Sequence, residues 1–427
     1  MGLVVKKNIF YKFRPMFRQL CSTIQKRQFS SLVNTTNTKS IVVTSPTIQI
    51  KKNTIESLKN SNQNFIKRIQ SLTKRNQDSF FLFSKTNLNS SIKLWNDTFP
   101  FVTPYYALKP NSDITMIKEL AKHDFNFDCA SVNEVKKVRK YSKNPVIFSH
   151  PIPYQNLHTI KSNIAYRVYD NIFNIVDELP YFIRIKVDDS LSKCKMSSKY
   201  GAHPSDIIKF FATNENECIN NNFRGFSFHI GSGSGRYESY ESALTSVKSL
   251  VDIGSKFRFN TSVIDIGGGF TQDVLNLRKI NQLMCDSALQ KYKLVAEPGR
   301  FFAESSQYLI AQIVDVRYEN GVYSYYINDS VYQNFSAVKY DHMTVQNSNI
   351  SVLRHMSNNE ENCTTTAYDV RCILYGKSCD GEDVIASDIL LPKLNKHDVL
   401  IFHKMGSYTN VSASTFNGFN LSKVYVL

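Results

Sequence analysis

The sequence predicts an α/β protein in which a (β/α)8 barrel is followed by a separate β domain. Between residues 100 and 306, short apolar runs of strand-forming residues alternate with longer segments of helical period. Strands that alternate with helices form parallel βαβ units, and eight such units close a barrel. Beyond residue 306 the strand-like runs follow one another without helical segments, which is typical of a β domain. A doubly wound open sheet is the alternative for the first part, although such sheets more often have about five or six strands.

Eight runs carry the barrel prediction, and they lie at residues 105–108, 125–129, 145–148, 165–169, 182–187, 225–230, 262–266 and 294–297. Between the sixth and the seventh run, apolar residues fall at the spacing i, i+1, i+4, i+7 and i+8, which puts them on one face of a helix. They are Ala243, Leu244, Val247, Leu250 and Val251. The segment therefore predicts a helix that connects two strands.

The β domain is predicted from strand-like runs at 309–316, 322–327, 367–374 and 399–402. The stretch 343–364 is polar and rich in Asn and Ser, and it predicts an exposed loop. These patterns divide the chain into a basic leader (1–55), a segment that contributes to the β domain (56–84), the barrel (85–306) and the β domain (307–427).

The composition is that of a globular protein, because 42% of the 427 residues are hydrophobic and 21% are charged. These fractions exclude a disordered chain, a collagen and a polytopic membrane protein. No run reaches the ~18 apolar residues that a membrane-spanning helix needs. We therefore expect no membrane partner.

The net charge of +16 is concentrated in residues 1–55, which contain ten Lys and Arg residues and no acidic residue. The other 372 residues carry only +6, without the basic stripe that indicates a nucleic-acid partner. A basic, acid-free leader that contains Arg and Ser is typical of a mitochondrial transit peptide. The alternative is an Asn-, Thr- and Ser-rich tail that carries no targeting signal. A cytoplasmic and a mitochondrial location therefore both stay open.

The cysteines do not follow the spacing of metal ligands, and we expect no metal site. They lie at positions 21, 129, 194, 218, 285, 363, 372 and 379. In a chain of this length they indicate reduced thiols and not a disulfide framework.

Polar residues stand at the carboxyl ends of several runs, where barrel enzymes carry their active sites. Lys109 follows the first run, Asp128 lies in the second and His229 lies in the sixth. Three glycines at 267–269 follow the seventh run, and Glu297 ends the eighth. Each feature alone has a simpler explanation, because single charged residues at strand ends are usually solvated and glycine runs are usually turns. Their coincidence on one face of the barrel indicates a site.

Together these residues suit a phosphorylated aldehyde cofactor. A lysine on a rigid strand end can form a Schiff base with the aldehyde. Glycine-rich turns present backbone N–H groups to a phosphate, and Arg300 can bind the same phosphate through two parallel hydrogen bonds. Glu297 can keep a pyridine nitrogen protonated, which lets the ring accept electrons. The glycines alone are weak evidence, because they do not follow the pattern G-x-G-x-x-G.

The same residues belong to a longer series of motifs, which are PYYALK (104–109), FDCAS (127–131), SFHIGSG (227–233), DIGGGF (265–270), AEPGRF (296–301), IND (327–329), YD (340–341), CDG (379–381) and STFNGF (414–419). In this order they resemble the eukaryotic ornithine decarboxylases, in the alanine-racemase-like group of pyridoxal-phosphate enzymes. The resemblance covers the chain from about residue 80 to its end. It implies an alanine-racemase-like fold, pyridoxal 5'-phosphate as cofactor, and decarboxylation of L-ornithine to putrescine, the entry step of polyamine biosynthesis.

The resemblance also implies roles around the cofactor. Lys109 would form the Schiff base, with Asp128 near it, and His229 would stack on the ring. Glu297 would bind the pyridine nitrogen, with support from Arg184. The phosphate would be bound by Ser232, Gly268, Gly269, Arg300 and Tyr408.

At the substrate, the resemblance implies that Asp341 and Asp380 receive the distal ammonium group of ornithine. Cys379 would act at the α-carbon after carbon dioxide leaves. The family is a homodimer in which the Cys-Asp-Gly loop of one subunit reaches into the active site of its partner, and antizyme is a further partner of the family.

Two alternatives stay open. Lysine or another basic amino acid is a candidate substrate, since one methylene is worth only ~1–3 kcal/mol of discrimination. Some relatives bind antizyme and have lost the cofactor, which would make the chain a non-catalytic regulator. The presence of all the reactive residues favours an enzyme; they are Lys109, Asp128, Glu297, Arg300 and Cys379.

Overall fold

The fold is given by a computed structural model, which describes residues 63–427 except 153–155, 176–178, 215–216, 234–235, 286–287 and 356–369. The basic leader at 1–55 therefore lies outside the described residues, and so do Cys21 and Cys363. The first described segment, 63–73, is helical.

Eight parallel strands close into a barrel, which confirms the predicted (β/α)8 architecture and rules out the open sheet. The barrel closes where the first strand pairs with the last, with Val102 opposite Leu294. The strands are β2 (Val102–Ala107), β3 (Asn126–Cys129), β4 (Val146–Phe148), β5 (Tyr166–Tyr169), β6 (Tyr181–Arg184), β7 (Phe223–Ser227), β8 (Val263–Asp265) and β9 (Lys293–Ala296).

Helices connect the strands and cover the outside of the barrel. They are α1 (Lys85–Thr98), α2 (Ile114–Lys122), α3 (Val132–Arg139), α4 (Pro204–Thr213), α5 (Glu217–Asn222), α6 (Tyr237–Ser255), α7 (Val274–Cys285) and the short α8 (Gly299–Ala303). Three 3-10 helices, at Leu157–Asn163, Ile172–Asn174 and Ala288–Lys291, complete the connections. The predicted apolar face lies in α6, where Ala243, Leu244, Val247, Leu250 and Val251 are all buried.

Capping explains why α3 begins directly after the polar end of β3. The Ser131 hydroxyl accepts a 3.1 Å hydrogen bond from the Glu134 N–H, and the Glu134 carboxylate accepts one of 2.7 Å from the Ala130 N–H. This reciprocal arrangement satisfies backbone donors that a helix start leaves free. It fixes the chain just after Asp128.

The second sheet forms the β domain, in the order β12-β15-β10-β11-β13-β14. Its strands are β10 (Gln307–Glu319), β11 (Val322–Ile327), β12 (Ile350–Leu353), β13 (Val370–Tyr375), β14 (Val384–Leu391) and β15 (Val399–Phe402). Strand β1 (Phe80–Phe83), from before the barrel, pairs with β10 and with β16 (Lys423–Val426). All four residues of β1 are buried.

The prediction of an exposed loop at 343–364 is wrong in part, and its residues 356–364 lie outside the described residues. Residues 350–353 form β12, which pairs with β15, and Ile350, Val352 and Leu353 are buried. The flanking Asn and Ser residues concealed a short strand whose partner is about fifty residues away in sequence. A short helix, α9 (Ser336–Tyr340), also lies in this domain, where no helix was predicted.

The β domain is fastened to the barrel beside Lys109. The Tyr408 N–H donates to the carbonyl of Pro110 at 2.8 Å, and the buried Asn111 amide donates to the carbonyl of Gly406 at 2.8 Å. A segment of the β domain therefore forms one wall at the carboxyl end of the barrel. Among the described helices, none is long and apolar enough to cross a membrane.

Candidate active site at the carboxyl end of the barrel

A cavity of about 870 Å³ lies at the carboxyl ends of the barrel strands. Its lining includes most of the predicted cofactor residues: Lys109, Asp128, Arg184, His229, Ser232, Gly269, Glu297, Arg300 and Tyr408. Gly268 is buried beside it, packed against His229 and Glu297.

Lys109 and Asp128 come from neighbouring strands. Ala107, near the end of β2, is opposite Asp128 in β3, and the Leu108 N–H donates to the Asp128 carbonyl at 3.1 Å. Lys109 is exposed, whereas Asp128 is 8% exposed and its Oδ1 has no hydrogen-bond partner among the described residues. Burial and the nearby Glu297 raise the pKa of Asp128 well above its usual range.

The glycine turn after β8 makes room for His229. A Cβ atom at Gly268 would lie 2.8 Å from His229 Nε2, and Gly269 has a φ of +100° that favours glycine. His229 Nδ1 accepts a 3.0 Å hydrogen bond from the Gly231 N–H. Burial, Lys109 and Arg184 lower the pKa of His229 well below its usual value. The imidazole is therefore neutral at neutral pH.

Glu297 follows β9 and lies among other carboxyl groups. Burial raises its pKa well above the usual range, and so does Asp265, whereas Arg184 acts in the opposite direction. Arg184 ends β6 and lies over the ring of Tyr200 at 5.0 Å. A basic ring nitrogen next to Glu297 would meet a carboxyl group that holds a proton and can share it.

Arg300 forms the centre of an anion-binding cradle. Its Nη2 atom donates to Ser232 Oγ at 3.0 Å, and its guanidinium lies 4.7 Å from the ring centroid of Tyr408. The same nitrogen donates to both carboxylate oxygens of Asp341, at 2.6 and 2.7 Å. Burial alone would lower the pKa of Arg300, but the Asp341 carboxylate raises it above its ordinary value.

Asp341 borders a second cavity of about 980 Å³, which shares Ser232 and Arg300 with the first. The Cys194 thiol lies 3.6 Å from Asp341 Oδ1. Burial and Asp341 raise the pKa of this thiol. Asp341 thus lies next to this cavity, but in the described chain its carboxylate is bound to Arg300, the predicted phosphate ligand.

Cys379 and Asp380 lie elsewhere, on a turn of the β domain between β13 and β14. They line a separate groove with Lys377, and Cys379 is exposed. Asp380 accepts a hydrogen bond from Tyr332 Oη and one of 3.0 Å from the Glu382 N–H, and these bonds lower its pKa. Among the described residues, one chain does not bring this turn into the cavity of Lys109.

The residues of the cavity fit a phosphorylated pyridine aldehyde. The cradle around Arg300 supplies the donors that a phosphate needs, and the glycine turn leaves a space that a side chain would fill. Asp128 lines the cavity, and its buried Oδ1 has no hydrogen-bond donor among the described residues, so a bound cofactor could supply the partner that a buried polar atom normally has.

Sequence reasoning missed two residues next to this site. Asp265 is buried and contacts Glu297, and Cys194, predicted to be no more than a reduced thiol, lies beside Asp341. The available signal for Asp265 was an acidic residue at the end of a buried run, directly before the glycines. Nothing in the sequence indicated the position of Cys194, because its neighbour Asp341 is 147 residues away.

This chain is similar to known decarboxylases. Residues 85–304 match the model of the pyridoxal-dependent decarboxylase, pyridoxal binding domain. The ornithine decarboxylase of Caenorhabditis elegans is 31% identical over 81% of this chain and 86% of its own length. That of Schizosaccharomyces pombe is 32% identical over 82% and 83%.

Solved structures give the same result. The arginine decarboxylase of Paramecium bursaria Chlorella virus is 31% identical, with a TM-score of 0.76 over 85% of this chain and 100% of that chain. The lysine/ornithine decarboxylase of Vibrio vulnificus, complexed with putrescine, is 25% identical, with a TM-score of 0.72 over 85% and 98%.

Proposed function

The chain belongs to the pyridoxal-dependent decarboxylases, and from that premise we propose that it converts L-ornithine to putrescine and carbon dioxide. Its cofactor is pyridoxal 5'-phosphate. The observation that carries the proposal is the single cavity in which a lysine, a proton-holding glutamate and an arginine cradle converge. The diamine product would serve polyamine biosynthesis.

The cavity residues have separate tasks toward the cofactor. When bound, pyridoxal phosphate withdraws the electron pair that departing carbon dioxide leaves on the substrate. Lys109 would hold its aldehyde carbon, with Asp128 nearby. Glu297 would bind the ring nitrogen, with the positive charge of Arg184 to balance it, and the neutral ring of His229 would cover one face.

The phosphate would be held by Arg300 together with Ser232, Gly268, Gly269 and Tyr408. Its oxygens would compete with Asp341 for the Nη2 donors of Arg300, which are bound to Asp341 in the described chain. We therefore expect the Arg300–Asp341 ion pair to loosen when the phosphate is bound. That change would free the Asp341 carboxylate for the distal ammonium group of a substrate.

The second acidic residue, Asp380, would come from another chain. We infer a homodimer because Cys379 and Asp380 line a different groove from Lys109. In the dimer, Asp380 would bind the distal ammonium and Cys379 would supply a proton to the α-carbon. A substrate with an apolar end would leave these carboxylates unpaired, at a cost of roughly 1–3 kcal/mol each or more.

Other basic amino acids remain alternative substrates. The similar solved structures include decarboxylases of arginine and of lysine/ornithine, and the acidic pair suits any cationic end. Diaminopimelate would be rejected, because its second carboxylate would meet Asp341 and Asp380. A non-catalytic antizyme-binding homologue is less favoured, since the lysine, glutamate and arginine of the cavity are all present.

A substrate panel tests the proposal. Purified protein with pyridoxal phosphate is given ornithine, lysine, arginine or diaminopimelate, and released carbon dioxide is measured. We expect the highest kcat/KM for ornithine and none for diaminopimelate. Release from none of the four would contradict the function, and adding purified antizyme to the active sample tests for inhibition by that partner.

The location of the protein is a separate proposal. We infer from the acid-free composition of residues 1–55 that this segment directs the chain to mitochondria. A fluorescent reporter fused behind these residues should enter mitochondria. Diffuse fluorescence in the cytoplasm would instead indicate that residues 1–55 carry no targeting signal.

A further inference from the structure

Asp265 is a completely buried carboxylic acid at the end of β8. Its Oδ1 atom accepts a 2.9 Å hydrogen bond from the Gly267 N–H. Its Oδ2 atom has no hydrogen-bond donor among the described residues, and the side chain contacts the carboxyl group of Glu297. A buried acid without a cationic partner is costly, so this position is not explained by packing alone.

Asp265 and Glu297 are also joined through the backbone. Gly267 donates its N–H to Asp265 and accepts a 2.8 Å hydrogen bond from the Glu297 N–H through its carbonyl. At Gly267 a Cβ atom would lie 1.9 Å from the Phe228 carbonyl oxygen, and φ is +63°. The turn is therefore fixed, and Asp265 holds the position of Glu297 through one intervening residue.

Two buried carboxyl groups in contact are compatible only if they share a proton, because two negative charges at that distance repel each other. The surroundings supply two cations, Arg184 and Lys109, for three carboxyl groups. The charged and titratable groups that face Asp265 are Tyr105 of β2, Asp128 of β3, Arg184 of β6 and Glu297 after β9. Two cations against three carboxyl groups leave one negative charge without a cation, which favours protonation of one of the three.

We propose that Asp265 is a positioning residue for Glu297: it fixes the glutamate, shares a proton with it, and thereby sets how strongly Glu297 holds a proton on the cofactor ring nitrogen. This inference rests on the proposed function, in which Glu297 pairs with that nitrogen. With the cofactor bound, the proton that the two carboxyl groups share would be the one that Glu297 holds at the ring nitrogen. The side of Glu297 that faces away from the ring nitrogen stays fixed by Asp265.

The variant Asp265→Asn tests the proposal, because asparagine keeps an oxygen for the Gly267 N–H and loses the acidic proton. We expect the holoenzyme to fold and to retain pyridoxal phosphate. Its kcat should fall while KM for ornithine changes little, and the basic limb of the pH–rate profile should move down by about one pH unit, which is tenfold in proton affinity.

Asp398→Asn is the matched control. Asp398 is 1% exposed and accepts backbone hydrogen bonds of 2.8 Å from His355 and Asn395, but it lies in the β domain. This variant should lose thermal stability and keep the wild-type pH profile. An Asp265→Asn enzyme with wild-type kcat and pH profile would overturn the proposal.

Two further measurements distinguish a failure of the proposed function from a failure of the proposal for Asp265. If the wild type releases carbon dioxide from no amino acid, the proposed function fails, and the pH titration of the bound-cofactor absorbance in wild type and Asp265→Asn still tests Asp265. If Asp265→Asn does not fold, infrared spectroscopy of the cofactor-free wild type replaces it. A protonated carboxyl band at pH 7 that changes when pyridoxal phosphate is added would support the shared proton, and its absence would overturn it.

Discussion

The barrel cavity and the turn at 379–381 differ in how completely one chain builds them. The cavity gathers Lys109, Glu297 and Arg300 at the ends of strands that a closed sheet holds in place. The turn offers Cys379 and Asp380 on an open groove of the β domain. In the proposed dimer, one chain completes the cofactor half of the site, and a second chain would complete the substrate half.

The two regions also differ in electrostatics. Burial raises the pKa values of Asp128, Asp265 and Glu297 in the cavity. At the turn, hydrogen bonds from the Glu382 N–H and Tyr332 lower the pKa of Asp380. The carboxyl groups of the cavity therefore hold protons, which suits the nitrogen of a cofactor ring. The turn presents an ionised carboxylate, which suits the ammonium group of a substrate.

The largest effect is expected from Lys109→Ala in the cavity. Decarboxylation should fall by at least about 10³-fold, together with the cofactor absorbance near ~420 nm, while the melting temperature changes little because the side chain is exposed. Lys93→Ala, on the exposed face of α1, is the control and should keep full activity. Retained activity in Lys109→Ala would show that this cavity is not the active site.

Asp380→Ala probes the turn and should have the next largest effect. Losing a charged hydrogen bond to the substrate should lower kcat/KM for ornithine by about 2–4 kcal/mol, or ~30- to 1000-fold, with cofactor absorbance intact. Asp388→Ala, an exposed aspartate of the same domain paired with Arg371, should be neutral. If Asp380 only supported the turn, its loss would lower the melting temperature and affect ornithine and lysine alike.

Asp341→Asn tests the contact between the cofactor half and the substrate half of the site. Since Arg300 would no longer be bound to a carboxylate, the cofactor-free protein should bind pyridoxal phosphate up to about tenfold more tightly, ~1.4 kcal/mol. Fluorescence titration of wild type and variant measures this. Weaker cofactor binding would mean that Asp341 orients Arg300 and does not compete with the phosphate.

The smallest effect concerns pH and stability. A carboxyl group whose folded pKa is raised stabilises the fold at low pH, and this contribution is lost as the pH rises through the folded value. Asp265, whose pKa burial raises to about 7, should therefore lower the melting temperature of the cofactor-free protein as the pH rises toward and through 7, and Asp128 and Glu297 act in the same direction. His229 is neutral near this pH, and Asp380, with its lowered pKa, is ionised there. A melting temperature that rises as the pH passes through this value would contradict the assignment.

Much of the barrel could be predicted because its strands are short apolar runs that end in polar residues. The same holds in the β domain, where the run predicted at 322–327 coincides with β11 and that at 399–402 with β15. Strand β12 was missed because its apolar residues are few and lie among Asn and Ser residues. Local patterns carry no information about its pairing with β15, which buries them.

The cofactor residues could be predicted because each stands at a strand end, and the closed barrel brings strand ends together. The Arg300–Asp341 ion pair could not be predicted, because it joins the barrel to the β domain and depends on how the two pack. Asp265 was missed for a similar reason, since its role depends on which residue the neighbouring strand β9 places beside it. The roles of Cys379 and Asp380 stay predictions.

Subunit complementation tests the central claim, that each active site combines residues of two chains. Lys109→Ala and Cys379→Ala proteins are mixed in equal amounts under conditions where subunit exchange is demonstrated. Half of the dimers should then be mixed, and each of these contains one intact site, which predicts about a quarter of wild-type activity from two nearly inactive proteins. No recovery of activity despite exchange would contradict the shared site.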